Sequence, residues 1–234
     1  MLEEEINNII KLMGFTNGKY EIKQIFRDLV TLETYFILFS QIGIKEYGDK
    51  FDNIMINYNL YEQKMLWEML SKLTNLYNKQ REEIDILGNI YNKLELKNDR
   101  IGQFLTPTKV STLISECSIE NNKENIIKNI EEKGFITIHE PSCGAGGTIL
   151  ECLRTIHKLG YKPSKVVFIN CWDIDVFSIY MTYVQLSMYD VPAIIINGDT
   201  LLLEERFVLY TPQYYIGNWE RKGVNKIVRG KTKM

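Results

Sequence analysis

Three acidic residues follow three apolar runs, and the first of them opens a cluster of glycines. That cluster reads Glu140-Pro-Ser-Cys-Gly-Ala-Gly-Gly-Thr148. Glycines at 144, 146 and 147 remove side chains where a chain must turn sharply, and they let a ligand approach the backbone. The other two acids are Asp173, in Cys171-Trp-Asp-Ile-Asp175, and Asp199, in Asn197-Gly-Asp-Thr-Leu201. A glycine turn that opens a helix can hold phosphate, and that reading is open for Gly144 to Gly146. However, the dinucleotide spacing Gly-x-Gly-x-x-Gly is absent, as is Gly-Lys-Ser/Thr, and the Glu140 carboxylate would repel a pyrophosphate. An acid beside the turn suits a ligand bearing an amine instead. Asp173 could accept from both hydroxyls of a ribose, and Asp199 from an exocyclic amino group. Jointly they describe a pocket for an adenosine with a cationic amino-acid tail, and S-adenosylmethionine fits that description. Taken singly, each acid is more often a helix cap or a turn former.

The elements that must position these residues are legible from periodicity. Phe135–His139, Lys165–Cys171 and Ala193–Asn197 read as buried strands, with helices after the first two, over Ile149–Ile156 and Val176–Met188. Strand, turn and helix repeated in units of about 30 residues predict an α/β fold with parallel strands, whose ligands bind outside the strands' carboxyl ends. Before the first strand, Thr106-Pro107 reads as a cap and first helical residue, with Val110, Leu113, Ile114 and Cys117 forming one face. Residues 1–100 lack proline and carry apolar residues at helical spacing, broken near Gly14–Gly18 and Gly43–Asp52. The expected organisation is a helical region 1–100, an α/β domain 101–217 and a basic tail 218–234.

Composition bounds the rest. With 234 residues, 45% hydrophobic and 25% charged, the chain has the balance of a globular protein, not of a disordered or collagen-like one. Its apolar runs are too short to span a bilayer, and Met1-Leu-Glu-Glu-Glu5 does not resemble a signal peptide, so the expected location is the cytoplasm. Four cysteines without a Cys-x-x-Cys pair, and two histidines, predict neither a metal site nor a disulfide framework. With a net charge of −2 a large basic surface is not expected, and the tail, with Arg221, Lys222, Lys226, Arg229, Lys231 and Lys233, could touch phosphate, although lysine-rich ends are more often solvated and frayed.

With these residues in view, the sequence resembles the adenine-N6 DNA methyltransferases, in particular the modification subunit of type I restriction systems. Ile86-Leu-Gly-Asn-Ile-Tyr91 followed by Gly102-Gln-Phe-Leu-Thr-Pro107 is similar to that family's lead into its methionine-binding motif, and Glu140 to Gly147 is similar to its glycine motif. Asp173-Ile-Asp175 and Gly198-Asp-Thr-Leu201 follow in the family's order. The resemblance implies a Rossmann-like class I methyltransferase fold with S-adenosylmethionine as cofactor and DNA as partner. It implies that Thr106 contacts the methionine carboxylate, while Glu140, Pro141 and the backbone around Cys143, Gly144 and Gly146 hold the methionine portion. Asp173 would take the ribose hydroxyls, Ile174 would pack on the adenine, and Asp199, with Thr200 beside it, would accept from adenine N6.

The chain departs from the family where catalysis occurs. The family's Asn/Asp-Pro-Pro-Tyr/Phe motif, which holds the flipped base's amino group, has no counterpart, because Pro-Pro is absent. Thr211-Pro-Gln-Tyr214, after a strand over Phe207–Tyr210, is the nearest element. It makes Thr211, Pro212 and Tyr214 the catalytic candidates, with a surface turn as the alternative reading. The family's sheet also has about three more strands, so the expected sheet is incomplete at one edge. An open edge invites a partner subunit or a homodimer, and Tyr214, Tyr215 and Trp219 could form that contact or stack on a base. The function expected is methyl transfer to adenine N6 in DNA. The alternatives are a catalytically silent cofactor-binding subunit and a methyltransferase acting on RNA or protein.

Overall fold

The computed structural model describes residues 2–96 and 105–224. By its contacts the chain divides into two units, Met1–Arg81 with Ile86–Leu105, and Glu82–Asp85 with Thr106–Met234. The first unit is helical: α1 (Leu2–Leu12), α2 (Ile22–Ser40), α3 (Glu46–Met55), α4 (Leu60–Asn78) and α5 (Ile86–Lys93). The break expected over Gly43–Asp52 is shorter than the glycines suggested, because Gly48 and Asp52 lie inside α3. Asn59 caps α4 through a reciprocal box with Glu62, whose side chain returns to the Asn59 amide. Ile25, Phe26, Leu29, Leu66, Met69 and Leu73 are fully buried in this unit. Glu33, buried among them on α2, has its carboxyl pushed up to about 7 by loss of solvent.

The second unit is an α/β fold. Its elements run α6 (Thr108–Glu120), α7 (Lys123–Lys133), β1 (Ile136–Glu140), α8 (Gly147–Lys158), α9 (Pro163–Val166), β2 (Val167–Asp173), α10 (Val176–Met188), β3 (Ala193–Asp199), β4 (Glu204–Tyr210) and α11 (Pro212–Ile216). The strands form one sheet in the order β1-β2-β3-β4. β1, β2 and β3 are parallel, in registers that pair Ile138 with Ile169 and Asp173 with Asn197. Every residue of β2 is buried, as a central strand of a parallel sheet requires.

β4 corrects an expectation. The strand over Phe207–Tyr210 exists, but it pairs antiparallel to β3, with Asp199 opposite Glu204 and Ile194 opposite Tyr210. It therefore starts at the carboxyl pole of the sheet and ends at the amino pole, beside the beginning of β3. The seven residues of β3 span the two poles, a distance of about 20 Å. A bulge at Asn197 and Gly198 bends the pair, and a side chain at Gly198 would collide with the Glu204 carbonyl.

α6 corrects another. Its buried face is Ser111, Ser115 and Ile119, while Val110, Leu113, Ile114 and Cys117 are exposed. Small hydroxyl residues let α6 lie close against α8, with Ser111 Oγ 3.4 Å from Thr148 Oγ1 and the Thr112 hydroxyl donating to Glu151 at 3.0 Å. Pro107, not Thr106, occupies the cap position. Among the described residues no helix is long and apolar enough to cross a membrane.

Candidate functional site

The carboxyl ends of β1, β2 and β3 bring Glu140, Asp173 and Asp199 to one pole, each at the last residue of its strand. The glycine turn follows β1 directly and is fixed by its neighbours. The Cys143 amide donates to the Trp172 carbonyl at 2.8 Å, and the Gly144 amide to Asp173 Oδ2 at 2.8 Å. Asp173 Oδ1 accepts from the Asp175 amide at 2.9 Å. Burial pushes the Asp173 carboxyl up, and these two amides oppose that shift. Gly146 adopts φ +91°, and a Cβ there would stand 3.2 Å from Thr182 Oγ1, so the turn demands glycine on two grounds.

Pattern reading missed the residues that hold this turn from behind. The Thr182 hydroxyl donates to the Gly144 carbonyl at 2.8 Å, and Gln185 Nε2 donates to the Ala145 carbonyl at 2.6 Å and to Asp85 Oδ1 at 2.8 Å. Thr182 and Gln185 are completely buried on α10. Asp85 belongs to a four-residue strap, Glu82–Asp85, which the second unit incorporates from the preceding chain. The strap is bound at several points: Tyr189 Oη donates to the Ile84 carbonyl and accepts from its amide, both at 2.9 Å, and Glu83 stands 3.3 Å from His157 Nδ1. A Cβ on Gly147, the first residue of α8, would stand 2.9 Å from Asp85 Oδ2. A carboxylate therefore occupies the positive end of this helix, which disfavours the phosphate reading of the glycine turn. The available signal was the spacing of Ser178, Thr182 and Gln185 along one face of an otherwise apolar helix.

At the open side of the pole the acids keep capacity for a ligand. Glu140 is half-buried, with Oε1 accepting from the Ser142 amide at 3.1 Å, and its carboxyl is pushed up chiefly by burial. Asp199 Oδ1 accepts from the amides of Leu201 and Leu202, leaving Oδ2 without a protein donor among the described residues. Thr200 donates to the Pro141 carbonyl at 2.7 Å and ties the third loop to the first. Ile174 is 53% exposed and Leu201 95% exposed, apolar surface beside charged groups. Beneath them the buried Asn197 donates through Nδ2 to the carbonyls of Asp173 and Ile174, both at 3.0 Å.

Other expected site residues lie elsewhere. Thr106 is exposed on the lead into α6 and makes none of these loop bonds. Residues 102–104 of the Gly102–Pro107 element, and most of the basic tail, lie outside the described residues. Thr211, Pro212 and Tyr214 sit at the amino pole, because β4 runs antiparallel. There the Thr211 hydroxyl accepts from the Ala193 amide at 2.9 Å and donates to the Val191 carbonyl at 2.8 Å. Tyr214 and Trp219 are buried in a cluster with Phe168, Ile194 and Val224, so neither offers a face to a base. Tyr215 alone of the three aromatics is exposed.

No family model matches the chain, and no curated protein matches it. Among solved structures, one that matches is a crystal structure from Listeria monocytogenes described as a proposed class I S-adenosylmethionine-dependent methyltransferase, with 15% identity and a TM-score of 0.41. The alignment covers 76% of this chain and 54% of that one, so the chain spans about half the length of the structure it matches.

Proposed function

We propose that the second unit binds S-adenosylmethionine at the carboxyl pole of β1, β2 and β3 and takes part in methyl transfer to adenine N6 in DNA. The observation that carries this reading is the convergence of Glu140, Asp173 and Asp199, one at the end of each parallel strand, on a glycine turn whose backbone is already satisfied. The donor set fits the group. Glu140, raised by burial, gains from a cation, which the ammonium of the methionine portion provides. Asp173 has lone pairs beyond the two that accept backbone amides, and these suit ribose hydroxyls. Ile174 offers apolar surface to an adenine ring, and Asp199 Oδ2 an acceptor for its amino group. When bound, the sulfonium supplies an electrophilic methyl group, and the protein's part is to bind and orient it. Thr106 as a contact to the carboxylate, and DNA as acceptor, rest on the resemblance.

A second reading, a cofactor-binding subunit without catalysis of its own, is favoured by the position of Thr211-Pro-Gln-Tyr214 at the far pole. On the first reading, the amide and ring that hold a flipped base come from a partner chain.

Titration calorimetry with S-adenosylmethionine and S-adenosylhomocysteine tests the site. Asp199→Asn should weaken both ligands roughly 5- to 30-fold, about 1–2 kcal/mol, without unfolding the protein. Asp173 is a poorer probe, because its removal also frees the glycine turn. Absence of binding by the folded wild-type protein would remove the cofactor assignment. Binding without methyl transfer to DNA in the presence of a candidate partner would favour the silent subunit.

A further inference from the structure

The helical unit buries its aliphatic core but leaves aromatic rings at one opening. Phe36 and Phe39 on α2 and Trp67 on α4 are exposed there, and Phe51 on α3 is buried beside them. Phe36 meets Trp67 edge-on, with ring centroids 5.9 Å apart and planes at 86°, and Phe51 meets Trp67 at 5.3 Å and 41°. These inclined rings wall an open cavity of about 570 Å³. Phe39 completes the wall by lying over Gly48, where a Cβ would stand 3.1 Å from its ring. Glycine is unfavourable inside a helix, and at this position it makes room for the ring.

The charges around the cavity favour a cation. Asp49 and Asp52 line it and are exposed, and neither is held by an ion pair among the described residues; Lys45 is the one base in the lining. Half-buried rings elsewhere in this unit already carry an ammonium: Lys19 Nζ lies 4.7 Å from the Tyr20 centroid, and Lys50 Nζ 4.5 Å from that of Tyr47. Among the described residues no lysine or arginine lies over Phe36, Phe39, Phe51 or Trp67. The ring quadrupole attracts cations, most strongly at tryptophan. A bare ammonium is strongly hydrated and costly to bring against rings, whereas N-methyl groups spread its charge over apolar surface that rings can cover. We infer that this cavity binds a methylated ammonium ion, with Trp67, Phe36 and Phe51 around the methyl groups and Asp49 and Asp52 drawing the charge to the opening. A free quaternary amine and a trimethylated lysine side chain share that chemistry. The cavity lies wholly within the helical unit, so the inference does not depend on what the carboxyl pole binds.

The test uses the full chain with two probes, choline and a short peptide carrying a trimethyllysine. Three controls accompany them: the carbon isostere of choline, in which a tert-butyl group replaces the trimethylammonium, ethanolamine, which lacks the methyl groups, and the peptide with unmodified lysine. Titration calorimetry should show saturable binding of choline or of the methylated peptide, and the tighter of the two identifies the source of the ammonium. Each control should bind roughly tenfold or more weakly than its probe. Trp67→Ala should abolish binding, Trp67→Phe should keep part of it, and Asp49→Asn with Asp52→Asn should weaken it several-fold. Circular dichroism confirms that each variant is folded. Equal binding of choline and its uncharged isostere overturns the inference, since the cavity is then only an apolar patch. No saturable binding of either probe by the folded wild type overturns it as well. So does a dimer seen by sedimentation and dissolved by Trp67→Ala, because the rings would then face a second copy.

Discussion

The two poles of the sheet are built from similar materials and end differently. At the amino pole Thr211 bonds both neighbouring backbone groups of the β3 entry, and Trp219, stacked on Phe168 at 5.5 Å, shuts the space above. At the carboxyl pole Asp173 satisfies the glycine turn in the same manner, yet Glu140 and Asp199 keep oxygens facing outward, and apolar residues stay exposed beside them. A binding site is distinguished here by what remains after the scaffold is satisfied, not by the presence of polar groups at strand ends.

The largest effect expected is at the closed pole. Trp219→Ala should destabilise the second unit by about 3–5 kcal/mol in denaturant unfolding. It should leave the affinity of the folded protein for S-adenosylmethionine essentially unchanged. Lost affinity with intact stability would erase the distinction between the poles.

A buried acid with no ligand role sharpens it. Glu33 titrates at about 7 in the fold and near 4.5 when unfolded, so the folded state holds the extra proton between those values. Stability of the helical unit is therefore greatest below the unfolded value and falls as pH rises to about 7. Glu33→Gln should remove that dependence and add about 3 kcal/mol above pH 7, read from unfolding midpoints against pH.

Thr211→Val, which strands the Ala193 amide and the Val191 carbonyl, should cost about 1–3 kcal/mol of stability, again without touching ligand affinity. The smallest effect belongs to Glu140. Its raised carboxyl should make the affinity for a cationic ligand fall as pH drops toward the upper carboxylate range, at a higher pH than an ordinary glutamate would give. Glu140→Gln should flatten that profile, and a wild-type profile equally flat would take Glu140 out of the site.

Much of this arrangement was legible in the residues. The apolar runs at Val167 and Ala193 and the helix over Val176–Met188 were readable because buried parallel strands and their crossover leave strong local periodicity. The direction of β4 was readable too, in a number that pattern reading passes over. Nine residues, 198–206, separate the strands expected at Ala193–Asn197 and Phe207–Tyr210, four separate the observed ones, and a parallel crossover needs a dozen or more. α6 misled because apolar residues form its exposed face and serines its buried one. Gln185 showed only as a polar residue on an apolar helix face, and Asp85 had no local signal at all, since the bond between them joins positions 100 residues apart.

That bond also sets how the molecule is assembled. In an ideal chain, closing a loop of 100 residues costs about 4 kcal/mol of entropy before the contact returns anything. Pairing of β1 with β2, which lie between the two positions, shortens the loop that this bond must close. Proteolytic nicking anywhere from residue 86 to 105 would leave Glu82–Asp85 on the amino-terminal fragment. Such a nicked protein should keep its sheet, while the carboxyl-terminal fragment, once separated, keeps Thr182 and Gln185 on the glycine turn but loses the Asp85 carboxylate that holds Gln185.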